Sequence, residues 1–128
     1  MRAAAAARNG RVFAPDLRVA ESVLERMRGL LGIKSLPEGS ALCLPGCRAI
    51  HTFFMRFNLD VLFLDRAGVV LRFERDVKPW RILWCRGAFG VIEAQAGWLA
   101  ACSFSVGDVV EITDRSSVFS MTTQCGAS

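Results

Sequence analysis

Apolar residues change their period along the chain, and the change divides it into a helical part and a longer β part. Over residues 15–32, PDLRVAESVLERMRGLLG, the residues Ala20, Val23, Leu24, Met27, Leu30 and Leu31 recur at helical spacing. Arg18, Glu21, Glu25 and Arg28 lie off that face, Asp16 is placed to cap the start, and Gly32 is placed to end the helix. Beyond it the period falls to two. A short strand is expected at 41–44, between turn residues. In IHTFFMRFN, the odd positions His51, Phe53, Met55 and Phe57 share one side of a strand, read as the core side.

LDVLFLDRAGVVLRFERDV predicts an antiparallel hairpin over 59–75. Both arms alternate, and Asp65-Arg66-Ala67-Gly68 has turn chemistry. Pro79 breaks the next run. RILWC, FGVIEAQ and Val109–Ile112 are further strands. One helix followed by six or seven short strands, without regular βαβ alternation, predicts an α+β domain: a mainly antiparallel curled sheet or small β-barrel with one N-terminal helix packed against it. Residues 1–10, MRAAAAARNG, are read as a flexible arm, 11–114 as a single domain, and 115–128 as a polar tail.

Composition narrows the class. The 128 residues are 52% apolar and 22% charged, a folding composition. The net charge of +4 comes from scattered arginines, which argues against a nucleic-acid partner. No run reaches the ~18 apolar residues of a membrane span. The alanine run is too short and too weakly apolar for an export signal, so a cytoplasmic site is expected. Five cysteines, an odd number without such a signal, read as buried thiols.

Several motifs follow one another in a recognisable order: RMRGLLG, IHTFFMRFNLDVLFLDRAGVV, VIEAQAGW and VGDVVEI. Over roughly residues 11–112 the chain resembles the family called domain of unknown function 192. The resemblance implies a compact, mainly β domain with an N-terminal helix. It implies no activity and no catalytic residue.

Candidate chemistry centres on His51, the only histidine, and Asp60. A carboxylate that orients an imidazole suggests a general base, with Cys47 or Thr52 as nucleophile in a hydrolase or transferase. No nucleophile elbow or oxyanion-hole signature accompanies them. The preferred reading is a brace, with Asp60 buried and accepting backbone amides. Cys43, Cys47 and His51 are spaced by four, but Pro45-Gly46 forbids a helical ligand face, so no metal and no cofactor are expected. Glu93, in an apolar setting, needs a partner such as Arg28, Arg56 or Arg81. KPWRILWCRG interleaves Lys78, Arg81 and Arg86 with Trp80 and Trp84. An exposed Trp80 would favour ligand contact. The expectation is a non-catalytic binding module for a small molecule, glycan or peptide, with His51, Arg56, Asp60, Trp80 and Glu93 lining a pocket. Strand addition at an unpaired edge is a third possibility.

Overall fold

The alanine-rich opening is not an arm. In the computed structural model, which describes residues 1–22, 25, 30 and 34–114, it forms strand β1, Arg2–Arg8. β1 pairs antiparallel with β2, Arg11–Val19, on one edge and with β9, Val110–Asp114, on the other. Ala4 to Ala7 are at most 5% exposed. Methyl side chains let neighbouring strands and the core approach closely, and pairing on both edges satisfies the backbone.

β2 also takes up the start of the expected helix. Residues 15–19 are extended, and Asp16 lies in the strand, where its amide donates to the Gly39 carbonyl, instead of capping a helix. A capping arrangement occurs six residues later. The Glu25 amide donates to Ser22 Oγ (3.1 Å), and Glu25 Oε1 accepts from the Ser22 (3.3 Å) and Glu21 (2.9 Å) amides. The expected helix therefore starts too early, because residues 15–19 of its span belong to β2. Most of that expected helix, like the tail 115–128, lies outside the described residues.

The remaining elements are β3 (Ser40–Pro45), β4 (Ala49–His51), β5 (Leu59–Leu64), β6 (Val70–Val77), β7 (Ile82–Trp84), β8 (Gly90–Gln95) and a four-residue helix α1 (Trp98–Ala101). Seven strands make one curled sheet in the order β6-β5-β8-β3-β2-β1-β9, and β4 and β7 make a separate ribbon. β2 and β3 are parallel, and the other described pairs are antiparallel. The architecture is mostly β, a half-barrel. The four-residue helix α1 sits late in the chain; the N-terminal helix of the expected α+β class falls mostly on residues outside the described ones, and the described residues are mostly β. No helix among the described residues is long and apolar enough to cross a membrane.

The central strands are buried on both faces. Inside the curl, Leu62, Leu64, Ile92, Ala94, Ala41 and Cys43 pack with Phe13, Leu17, Leu99 and Phe104. Outside it, Leu59, Val61, Phe63, Val91, Leu42 and Leu44 are covered by Ala20, Leu30, Ile50 and Met55. Double burial makes β3, β5 and β8 read as nearly continuous apolar runs.

The hairpin forms as expected, with β5 and β6 antiparallel. Asp65 Oδ1 accepts the Ala67 and Val69 amides (both 2.9 Å) and holds the turn. Gly68 has φ 84°, and the chain of β9 passes over it. The Val110 amide donates to the Gly68 carbonyl at 2.8 Å, and Val69 forms an isolated bridge with Val109. The two edges of the curled sheet therefore touch at this point. A Cβ on Gly68 would stand 2.3 Å from the Val110 carbonyl oxygen. Gly68→Ala is expected to cost about 2 kcal/mol, from the left-handed backbone and the displaced edge contact. Chemical denaturation measures it, and a wild-type midpoint would refute the close contact.

Candidate functional site

Asp60 lies on the inner face of β5 and is fully buried. A carboxylate there must find donors, and three backbone amides supply them. Oδ1 accepts from Asp76 (2.9 Å); Oδ2 accepts from Gly97 and Ala100 (2.9 Å each). Gly97 precedes α1 and Ala100 lies within it, so Asp60 caps that helix from another strand. Asp76 sits in a β-bulge. Leu59 pairs with Val77 and Val61 with Glu74, which leaves Arg75 and Asp76 opposite Asp60. Asp76 has φ 53°, and its Oδ1 accepts from Asn58 Nδ2 (2.8 Å). One side chain thus fixes a bulge and a helix start.

Glu93 occupies the outer face of the same sheet, between Leu42 and Val61 on the adjacent strands. It is 5% exposed, and burial pushes its carboxyl up to about 7 from the usual 4.5. Among the described residues no arginine pairs with it. Arg56 and Arg81 are exposed, and Arg28 lies outside the described residues.

His51 ends β4 on the ribbon and is exposed, not core-facing. The strand expected to run on to Asn58 stops there, because the backbone turns through Phe54 at φ 63°. His51 Nδ1 accepts the Phe53 amide (3.3 Å), and the His51 and Phe53 rings lie 5.0 Å apart. Asp60 has none of this neighbourhood, so no His–Asp dyad exists.

Thr52, expected only as an alternative nucleophile, is buried and acts as a knot. Its Oγ1 donates to the Lys78 carbonyl (2.7 Å) and accepts the Arg81 amide (2.9 Å). Its carbonyl accepts the Trp80 amide (3.0 Å). These bonds tie the chain after β4 to the chain before β7. The tie holds Trp80 at φ 69°, left-handed like Phe54. Bulky residues avoid that region, at a cost of order 1–3 kcal/mol each. Trp80 stacks on Phe53 (5.5 Å) and meets Phe54 edge-on (4.7 Å).

The ribbon continues this surface. Ile50 and Leu83 point into the outer core, while Ile82 and Trp84 face solvent beside Ala49 and His51. Phe54, Trp80, Ile82 and Trp84 are 58–69% exposed. Their neighbours Lys78 and Arg81 are exposed too. Phe53, expected on the core side, is half-buried, while Phe54, expected on the opposite side, is exposed as placed. Ile82, expected only within a strand, faces solvent.

The five expected lining residues therefore do not share one pocket. His51 and Trp80 are joined through Phe53. Arg56 is exposed, Asp60 is inside the half-barrel, and Glu93 is on the sheet's outer face. Cys43, Cys85 and Cys102 are free thiols, and no metal-holding group of three or more histidine, cysteine or carboxylate side chains occurs among the described residues. Burial pushes the Cys43 thiol up to about 12, which makes it a poor nucleophile.

Comparison with known proteins agrees with this architecture. A UPF0127 protein of Thermococcus sibiricus is 29% identical over 107 residues, covering 80% of this chain and 69% of its own. One from Thermococcus kodakarensis is 30% identical over 109 residues, covering 81% and 69%. A crystal structure of a protein of unknown function from Novosphingobium aromaticivorans superposes with a TM-score of 0.72 at 19% identity, covering 85% of this chain and 83% of that one. The profile of DUF192, described as an uncharacterized ACR, matches residues 4–112. The chain belongs to the DUF192 family.

Proposed function

We propose that the protein is a non-catalytic binding module that takes an apolar segment of a partner protein on the outward face of the β4–β7 ribbon. The observation that supports this reading is the pair Phe54 and Trp80. Both are held left-handed with their rings in water, although folding would favour burying them. Strain that presents apolar surface points to a use for that surface. Tryptophan and arginine are the residues most enriched at binding hot spots, and Trp80, Trp84 and Arg81 share this face. Lys78 and Arg81 favour acidic positions flanking the apolar anchors. The Thr52 tie keeps the rings in place before binding, which lowers the ordering cost.

Stacked rings also suit sugars, so the test separates the two ligands. The purified protein is screened against a random peptide display library and a glycan array. The expected result is enrichment of peptides with aromatic or aliphatic anchors and acidic flanks. Trp80→Ala and Trp84→Ala should each weaken the selected peptides by about 2 kcal/mol, roughly 30-fold. Selection of glycans alone, or peptides indifferent to both variants, would overturn the reading. A hydrolase using His51 with Cys47 has less support, because the His51 ring is turned to the Phe53 amide and ring.

A further inference from the structure

At the Leu64 end of β5, away from Asp60, the half-barrel has an open mouth of about 290 Å3. Its wall is apolar: Val19, Cys43, Leu64, Val110 and Ile112, most of them inner-core residues. Its rim is basic. Arg2 and Arg66 line the mouth, and a shallow groove of about 580 Å3 around the same turn adds Arg48 and Arg86. Among the described residues none of these four arginines forms an ion pair. Arg66 is held over the Phe89 ring, 4.2 Å from its centre. Asp65, the one carboxylate in either lining, is occupied by its own turn through the Ala67 and Val69 amides.

We propose that this mouth binds an anionic amphiphile: a short apolar chain against Leu64, Val110 and Ile112, and one carboxylate or phosphate head held by Arg66, Arg86 and Arg48. Each half of that chemistry has a matching surface. The wall offers an incoming chain no charged group, so a fully polar anion gains nothing by entering. The rim offers several guanidinium groups, whose forked donors match the two oxygens of a carboxylate or phosphate. The mouth is at the lower end of the ~300–1,000 Å3 usual for ligand sites, which suits a medium-length chain. β-Barrel mouths are a recurrent place for such ligands. The site is separate from the ribbon, so either can exist without the other.

Isothermal titration with four probes tests the proposal: octanoate, octyl phosphate, 1-octanol and inorganic phosphate. Octanoate or octyl phosphate should bind, and 1-octanol and inorganic phosphate should bind at least about tenfold more weakly, since each lacks one half of the contact. Arg66→Ala with Arg86→Ala should weaken the anionic amphiphile on the order of tenfold or more. Both are exposed side chains, and a wild-type melting curve confirms that the variant folds. Ile112→Trp should block chain entry, and Trp84→Ala on the ribbon should change nothing. Equal binding of 1-octanol would show that the arginines play no part, and equal binding of inorganic phosphate would show that the apolar wall plays none. No binding by any probe, or loss of binding in Trp84→Ala, would equally overturn the proposal.

Discussion

Asp60→Ala should destabilise the protein by about 3–5 kcal/mol, because three partly buried amides lose their acceptor at ~1–3 kcal/mol each, partly relieved by water. The amides of Asp76, Gly97 and Ala100 belong to two separate elements. The loss should therefore loosen both the β6 bulge and the start of α1. Asp60→Asn keeps one acceptor oxygen but turns an amide donor toward another donor, so it should recover only part of the loss. His51→Ala, at an exposed ribbon end, should stay within ~0.5 kcal/mol. Urea denaturation of the three variants measures this. Since single domains have only ~5–15 kcal/mol in total, the Asp60→Ala curve is best recorded at low temperature. A midpoint for Asp60→Ala equal to that of His51→Ala would remove the brace.

Glu93→Gln should remove a pH dependence. The Glu93 carboxyl, ordinarily near 4.5, is pushed up to about 7 by burial. The folded protein then holds a proton that the unfolded chain releases, so stability falls as pH rises between these values. Below pH 4.5 both states are protonated and the group is neutral in the balance. Above pH 7 both are ionised, and the fold carries a buried charge at a cost of about 3 kcal/mol. Glutamine cannot ionise. Glu93→Gln should match wild type near pH 4.5, gain on it steadily to pH 7, and stay ahead by up to about 3 kcal/mol at pH 8. Urea midpoints across that range give the difference directly, free of the contributions of other carboxylates. A variant that is less stable than wild type at pH 8 would mean that the charged carboxylate has a partner.

What could be read from the sequence was mostly what is local. The β5–β6 hairpin was legible because its turn is built by Asp65 and Gly68 alone. Asp60 was legible as a brace because a carboxylate in an apolar strand has few alternatives, although its three donors lie 16 to 40 residues away and could not be named. β1 and β2 were misread for opposite reasons. Alanine favours helix and carries no strand pattern, and β1 becomes a strand only through neighbours far along the chain. β2 runs directly into a helical periodicity, which pulled the boundary forward. Alternation also failed to assign faces in β5, where inner and outer cores leave no polar side. The aromatic surface was hidden because it depends on two left-handed residues. No periodicity reports backbone handedness, and Phe and Trp are poor guides to it.

The position of β1 has a consequence in time. Ala4 pairs with Asp114, so one edge of the first strand waits for the last strand of the sheet before it is closed. During synthesis β2 can pair with β1 at once, but β9 arrives after every other strand has emerged. Contacts of such separation form late and slow the folding of β proteins. For that interval β1 is an open edge, the kind of template on which growing chains associate. A strand of valine or isoleucine in this place would present a sticky ridge throughout the wait. Five alanines present almost none, and they leave the edge usable when β9 finally docks.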